Sequence, residues 1–260
     1  MGKKEARTIA VANEKGGVGK TVTVLNLGAA LAQAGQQVLI VDMDPQFNAT
    51  QGLGEQVRDE QYSVYDIISN PVAVPVGDVV RTTRWPGIDL LPSDADLAGA
   101  EVELVEESGR ENRLTAGLAP IVGNYDFVLL DTPPSLSLLT VNVFAFAAEI
   151  LVPCQTHPYA FRALDELFDT IDAIREGINP ELRVIGVLAT FFDRRTRVSH
   201  TILEKLRTDE RYRDLMLQTV IRANTTIAES AAAEKPVVYY RSTSFGAEDY
   251  RSLAQEILGQ

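Results

Sequence analysis

The chain has 260 residues, of which 45% are hydrophobic, and this is enough for the core of a single α/β domain spanning residues 1–260. Its 36 Asp and Glu outnumber 24 Lys and Arg, and the net charge of −12 argues against a uniformly basic nucleic-acid-binding surface. One cysteine, Cys154, excludes an intrachain disulfide and a cluster site of paired thiolates. No apolar run approaches the length of a membrane span, and Met1 to Glu5 show no apolar signal, so we expect a cytoplasmic protein.

A glycine-rich loop lies between a predicted strand and a predicted helix near the N-terminus. Residues 8–12 are an apolar run, residues 15–21 read KGGVGKT, and apolar residues then recur at helical spacing up to Ala34 and the C-cap glycine Gly35. Glycines let backbone N–H groups and a helix N-terminus converge on one point, so the loop predicts a polyphosphate site. In that site Lys20 would reach the β- and γ-phosphates, and Thr21 would bind the bridging Mg²⁺.

Two aspartates follow the next predicted strand. Val38 to Val41 form a continuous apolar run, which is typical of a buried parallel strand. The run delivers Asp42 and Asp44 to the carboxyl edge, where open α/β sheets place their ligands. Carboxylates beside a phosphate loop can hold Mg²⁺ through its waters or orient an attacking water. For Asp42, a turn with a solvated side chain is the alternative.

A third aspartate ends a strand in the middle of the chain. The apolar run at residues 127–130 leads into Asp131, as in a Walker B strand, whose carboxylate accepts a hydrogen bond from a metal-bound water. A strand followed by a proline-rich turn is the alternative. Between this strand and the preceding one, the pattern predicts a strand at 88–92 and helices at 63–68, 97–105 and 112–122.

Alternating helices and strands continue to the C-terminus. The pattern predicts helices at 138–148, 160–175 and 247–258, and strands at 149–153 and 184–188. Because strands and helices alternate throughout, we expect a mostly parallel, twisted sheet with helices on both faces.

Together these motifs resemble those of ParA/Soj-type partition ATPases, in the ParA/MinD branch of the deviant Walker A P-loop ATPases. The loop has the form xKGGxGK[ST], with Lys15 as its additional lysine; residues 41–46 read VDMDPQ, and residues 127–135 read FVLLDTPPS. The similarity extends from Ile9 to Ile257, although Phe47 replaces a glycine that is usual in the family.

The resemblance implies a single-domain P-loop NTPase that binds ATP and Mg²⁺. It implies that Lys15 reaches the phosphates of a partner subunit in an ATP-bound homodimer, and that Asp44 positions the hydrolytic water. The implied nucleotide-binding residues are the loop and its neighbours, with Asn224 near the adenine: Lys15, Gly16, Gly17, Val18, Gly19, Lys20, Thr21 and Val22. The implied metal set is Thr21, Asp42 and Asp131.

A basic window stands out in this acidic chain. From Asp193 to Arg213 there are seven basic residues and four acidic ones, which suits either non-specific contacts to DNA phosphates or a solvated helix with internal ion pairs. Arg195 matches a DNA-contacting arginine of the family. Two further family arginines fall on Ala223 and Thr226, while an arginine stands one place early at Arg222. The resemblance thus implies DNA binding through Arg195 and Arg222.

The resemblance also implies a ParB-like basic activator protein and association with the nucleoid. Two alternatives remain: a metabolic ATP-dependent ligase of the dethiobiotin-synthetase kind, and a membrane-cycling positioning ATPase like MinD. The last predicted helix carries one basic residue, Arg251, whereas a MinD-like anchor needs a basic amphipathic tail. We therefore expect no membrane partner.

Overall fold

The structure, a computed structural model, describes residues 5–58 and 60–260. The predicted absence of a signal segment at Met1 to Glu5 therefore concerns mainly residues outside the described ones. Within the described ranges, no helix combines the length and the apolar character needed to cross a bilayer.

Eight strands of the described chain form one sheet in the order β3-β4-β2-β5-β1-β6-β7-β8. All neighbouring strands are parallel except β3 and β4, which are antiparallel. The mostly parallel sheet is thus confirmed. The strands are β1 Arg7–Val11, β2 Val38–Asp42, β3 Arg81–Thr82, β4 Ile88–Leu91, β5 Phe127–Asp131, β6 Glu149–Gln155, β7 Arg183–Phe192 and β8 Met216–Arg222.

Helices cover both faces of the sheet, as predicted. The α-helices of the described chain are α1 Lys20–Gln33, α2 Asn48–Gly52, α3 Val64–Ser69, α4 Val76–Val79, α5 Leu97–Glu103, α6 Arg113–Leu118, α7 Leu138–Phe146, α8 Ala160–Gly177, α9 Arg197–Thr208, α10 Thr225–Ala232, α11 Val237–Tyr240 and α12 Phe245–Leu258. Helices α3 to α9 contribute to one buried apolar cluster, and α1, α2, α11 and α12 contribute to the other. Each cluster includes side chains from one face of the central strands, so the sheet is buried on both sides.

The structure corrects three predicted boundaries. The helix predicted for 112–122 is shorter, because α6 ends at Leu118 and lies between two 3₁₀ turns. Strands β6 and β7 continue past their predicted ends to Gln155 and Phe192. Strands β3 and β8 were not predicted. Strand β8 is an edge strand whose apolar run is interrupted by polar residues, so it lacks the continuous pattern of β2.

Candidate phosphate-binding site

The loop between β1 and α1 has a backbone that requires glycine at two positions. Gly17 and Gly19 have φ angles of 74° and 94°, in the left-handed region that side chains disfavour. Helix α1 begins at Lys20, and no side chain caps its N-terminus. The first N–H groups of this 14-residue helix therefore remain available, and together with the helix dipole they suit an anion such as a phosphate.

Neighbouring strands hold the loop in place. The Thr190 hydroxyl of β7 donates to the carbonyl of Val18 at 2.9 Å, and the Asn13 amide donates to the carbonyl of Pro153 in β6 at 2.9 Å. Asn13 Oδ1 also accepts from the backbone N–H of Lys15 at 2.9 Å. These bonds keep the loop curved while the glycines allow the turn.

Lys20 is only 6% exposed although it carries an ammonium group. Its Nζ donates to the carbonyl of Asn13 at 2.9 Å and to that of Lys15 at 3.4 Å, so it closes the loop from within. Burial lowers the pKa of Lys20, and the negative charges of Asp131 and Asp44 oppose that change. The Lys20 ammonium is thus held at the loop, where the negative charges of Asp131 and Asp44 act on it.

Asp131 is the buried carboxylate that lacks partners. It lies opposite Asp42 in the pairing of β2 with β5, and both of its carboxylate oxygens are buried without a hydrogen-bond partner among the residues that the structure describes. Burial raises the pKa of Asp131 well above its usual range, and the negative charge of Asp42 adds to the rise, while the positive charge of Lys20 opposes it. Orphaned oxygens beside a phosphate loop suit a cation or its bound water.

The carboxylate of Asp42 accepts three hydrogen bonds from nearby residues. Its Oδ2 accepts from the Thr50 N–H at 2.8 Å and from the Thr50 hydroxyl at 2.7 Å, and its Oδ1 accepts from the Asp44 N–H at 3.2 Å. Burial raises the pKa of Asp42 to about 6, and the bonds from Thr50 and Asp44 limit the rise. Asp42 therefore holds the backbone of Asp44 and Thr50 in place beside the site.

A further pair of bonds fixes the backbone of Asp44. The buried Ser93 hydroxyl donates to the Asp44 carbonyl at 2.9 Å, and the Ser93 N–H donates to the Thr50 hydroxyl at 3.0 Å. Asp44 Oδ1 accepts from the Gln46 N–H at 2.9 Å. The turn then passes through Phe47, whose φ of 45° explains why a glycine suits this position.

The phosphate loop, Lys20 and Asp44 line one cavity of about 580 Å³. It brings together most of the loop residues predicted from the sequence with Asp44: Gly16, Gly17, Gly19, Lys20, Thr21 and Val22. The residues described contain no group of three or more His, Cys, Asp or Glu placed to hold a metal. A cation here would depend on one hydroxyl, one or two carboxylates, water and phosphate oxygens, which suits Mg²⁺.

Five of the predicted nucleotide- and metal-binding residues lie outside the lining of this cavity, and two of them are the fully buried Asp42 and Asp131. Val18, within the loop, is buried, and Lys15 lines an adjoining open cavity of about 330 Å³ with Leu136 and Tyr159. Asn224 caps α10, where its Oδ1 accepts from the Thr226 N–H at 2.8 Å, and it lines a neighbouring recess. Lys15 is thus placed beside its own phosphate loop but faces another surface.

The two predicted DNA-binding arginines have acidic partners. Arg195 is 89% exposed and contacts Asp193 with Nε and Nη2, each at 3.0 Å. Arg222 is 15% exposed, and it donates from Nε to Asp249 at 2.9 Å and from Nη2 to Glu248 at 2.8 Å. Arg222 is therefore an internal ion-pair residue, a role that its sequence position did not indicate.

Sequence reasoning did not assign a role to Thr50, Ser93, Asn13 or Thr190. Each is a buried polar residue that bonds to the loop or to an aspartate of the site. Thr190 and Ser93 both come just after predicted strands. A polar residue at the end of an apolar run was therefore the signal that could have indicated their roles.

Comparisons with known proteins agree with this geometry. A family model described as an AAA domain matches residues 6–184. The chain is 40% identical to the sporulation initiation inhibitor protein Soj of Bacillus subtilis (96% of this chain, 98% of Soj), and 38% identical to the chromosome partitioning protein ParA of Myxococcus xanthus (97% and 88%). Among solved structures, cobyrinic acid a,c-diamide synthase from Mycobacterium smegmatis, with bound ATP analog and magnesium, is 35% identical with a TM-score of 0.84 (97% and 94%).

Proposed function

Because this chain belongs to the ParA/MinD family of P-loop ATPases, we propose that it is an ATPase that dimerises on ATP and segregates or positions DNA or another cargo. The observation that carries the proposal is the contrast between the two lysines of the loop. Lys20 lines the phosphate cavity, whereas Lys15 lines an adjoining open cavity that shares Pro134 with it. In the proposed dimer, Lys15 is therefore supplied by a second chain.

Binding begins with the triphosphate at the loop. The N–H groups of the first turn of α1 and the Lys20 ammonium receive the phosphate oxygens, so Lys20 exchanges its bonds to Asn13 and Lys15 for bonds to the ligand. Thr21 and Asp131 are the residues that would hold Mg²⁺. When bound, Mg²⁺ neutralises charge on the phosphates as they are transferred.

Asp44 orients the hydrolytic water. Its backbone is fixed by Ser93 and Asp42, and its side chain lines the phosphate cavity together with Lys20. Phosphoryl transfer depends mainly on positioning and charge, so a rigid carboxylate beside the loop suits this role. Asp44→Ala should lower hydrolysis about 100-fold or more and leave the ATP dimer intact. Hydrolysis at the wild-type rate would remove Asp44 from this role.

The contribution of Lys15 to its partner's site can be tested by mixing variants. A Lys15→Ala chain and an Asp44→Ala chain are each expected to be inactive alone. If Lys15 acts across the dimer, a mixed dimer contains one site with both groups, so an equal mixture should recover about a quarter of wild-type turnover. If Lys15 serves its own chain, neither site is complete and the mixture stays inactive. As a matched control, Arg213→Ala removes an exposed charge outside the site and should leave turnover unchanged.

For DNA, we infer that the contact surface is centred on helix α9. Arg194 and Arg207 line a cavity of about 510 Å³, and both are exposed without an ion pair among the residues described. Surface ion pairs are weak, so Arg195 can exchange Asp193 for a phosphate. Replacing Arg194 or Arg207 with Ala should weaken binding to all duplex sequences. Each replacement should also reduce the slope of log K against log salt concentration by about one.

One sedimentation experiment tests the whole proposal. The protein is sedimented with ATP or ADP, with and without duplex DNA, and then with a basic peptide of the kind a ParB-like activator would present. We expect dimers with ATP, co-sedimentation with DNA only then, and release as the peptide stimulates turnover. Such a cycle places the protein in the cytoplasm on the nucleoid. Binding to anionic liposomes with ATP would instead indicate membrane cycling, and a monomer with saturating ATP would refute the proposal.

A second candidate follows from the similarity to the M. smegmatis synthase, whose name denotes an amide-forming enzyme. If this chain were such a ligase, its ATP turnover would rise with a carboxylate substrate and a nitrogen donor, and DNA would have no effect. Cys154, the single cysteine, is buried, and burial raises its pKa to about 12, so it is a poor nucleophile for releasing ammonia from glutamine. Turnover assays with both sets of additives separate the two functions.

A further inference from the structure

The phosphate cavity extends beyond the glycine loop, where two further parts of the chain line it. The cavity reaches Leu25 of α1, which comes after the residues of the loop. One further part is α2, through Gln51 and Gly52, and the other is the end of α10 and the turn after it, through Ala232 and Glu234. We call α2 the first wall and residues 231–234 the second wall. The loop between β3 and β4 contacts both walls.

Trp85, the chain's single tryptophan, holds the first wall. Its Nε1–H donates to the carbonyl of Leu53 at 3.2 Å, and Leu53 is the C-cap residue of α2. The last carbonyls of a helix lack partners within the helix, and a helix of five residues is too short to be stable alone. The position of α2 therefore depends on bonds from outside it. Thr50 bonds to Asp42 near the middle of α2, and Trp85 fixes its end.

The same loop holds the second wall. Arg84 Nη2 donates to the Glu234 carbonyl at 2.8 Å, and the Trp85 indole stacks on Tyr239 of α11 with ring centroids 4.9 Å apart and planes inclined by 16°. Glu234 has a φ of 53°, in the left-handed region that side chains disfavour, so the turn is held against a backbone preference. The Arg84 guanidinium lies 4.8 Å from the centroid of the Trp85 ring, which joins the two links into one unit.

The β3–β4 loop is tied to the sheet. The buried Thr83 hydroxyl donates to the Ile88 carbonyl at 2.7 Å and accepts from the Trp85 N–H at 3.1 Å. The Ile88 N–H donates to the Trp85 carbonyl at 3.1 Å, and β4, which begins at Ile88, pairs with β2. Because the loop is fixed to the sheet, its contacts fix the position of each wall relative to the sheet.

We propose that Arg84 and Trp85 are positioning residues, which hold the two walls at the separation that a bound nucleotide requires. The proposal rests on the proposed function, because it requires a nucleotide in this cavity. Asp44 is fixed separately, by Ser93 and Asp42, so release of the walls should reduce ATP affinity more than the rate of the chemical step. A role in stability alone would lower the folded fraction, and with it the apparent kcat, while the Kd of the folded molecules stayed the same.

The test measures the Kd of ATP by calorimetry, and KM and kcat by turnover, in Mg²⁺ for each variant. Arg84→Ala removes the bond to the second wall, and Trp85→Phe removes the bond to the first wall but keeps a ring. Each should raise Kd and KM about 3- to 10-fold, which corresponds to one hydrogen bond, and should change kcat less. Arg84→Lys keeps a charged donor and should stay closer to the wild type. As a matched control, Arg251→Ala removes an arginine bond to the Ser242 carbonyl, outside the cavity lining, and should leave Kd unchanged.

A wild-type Kd and KM in both Arg84→Ala and Trp85→Phe would overturn the positioning role, and it would leave the proposed function standing because ATP still binds and is hydrolysed. A fall in kcat or in the calorimetric stoichiometry at an unchanged Kd would assign the two residues to stability alone and would also overturn the proposal. Failure of the wild type to bind ATP would refute the proposed function, and the positioning role would be refuted with it.

Discussion

Removing the Thr50 hydroxyl should destabilise the protein by a calculable amount. The hydroxyl donates to the fully buried Asp42 carboxylate at 2.7 Å and accepts from the buried Ser93 N–H at 3.0 Å. Thr50→Val keeps the side-chain volume but removes both bonds. Losing a hydrogen bond to a charged group costs about 1.5–3 kcal/mol, and an unsatisfied buried N–H costs about 1–3 kcal/mol. We therefore expect a total loss of about 2.5–6 kcal/mol in the free energy of unfolding.

Thermal and urea unfolding measure this loss. For a chain of this length each kcal/mol shifts Tm by about 2 °C, so Thr50→Val should lower Tm by about 5–12 °C. Thr50→Ser retains the hydroxyl and should lose far less. Because Ser93 and Asp42 hold Asp44, ATP turnover should also fall more than ATP affinity. Equal stability of Thr50→Val and Thr50→Ser would refute the assigned role of the hydroxyl.

Three further outcomes follow from the structure. Phe47→Val should be less stable than Phe47→Gly by about 1 kcal/mol or more in urea titrations, because a β-branched residue is poorly tolerated at φ 45°; equal stability would refute the strain. The folded-state pKa of Asp42 is raised to about 6 from 3.8, so its protonation stabilises the ligand-free fold below pH 4, and that contribution is lost as pH rises through about 6. Wild type should thus lose stability relative to Asp42→Asn as the pH rises from about 4 to about 8 in urea unfolding, and a constant difference would contradict the shift. Arg195→Glu should weaken ATP-dependent DNA binding with little change in ATPase rate, and unchanged retention on duplex DNA at several salt concentrations would exclude it from the surface.

The sequence predicted the sheet well where strands are buried on both faces. Strand β2 is entirely buried, so its residues form a continuous apolar run, and this run alone predicts a buried strand. Strand β8 lies at the edge of the sheet, where exposed positions admit polar residues and the pattern weakens. The glycine loop and the three aspartates were predicted because their chemistry depends on short spacing along the chain.

Residues whose roles depend on distant partners were not predictable in this way. Arg222 is paired with Asp249, which is distant in sequence and lies on the last helix. Ser93 bonds to Asp44 across two separate strand ends. Such contacts are set by tertiary packing and leave no periodic signal in the sequence.

The order of strands in the sheet has a consequence for biosynthesis. Strands β1 and β2 carry the phosphate loop and Asp42, yet β5 is inserted between them and supplies Asp131. A nascent chain therefore exposes the glycine loop long before β5 leaves the ribosome. Until then the two strands have no common partner, and the half-made protein cannot capture nucleotide. Ribosome-bound chains that end before Phe127 should remain unable to bind ATP.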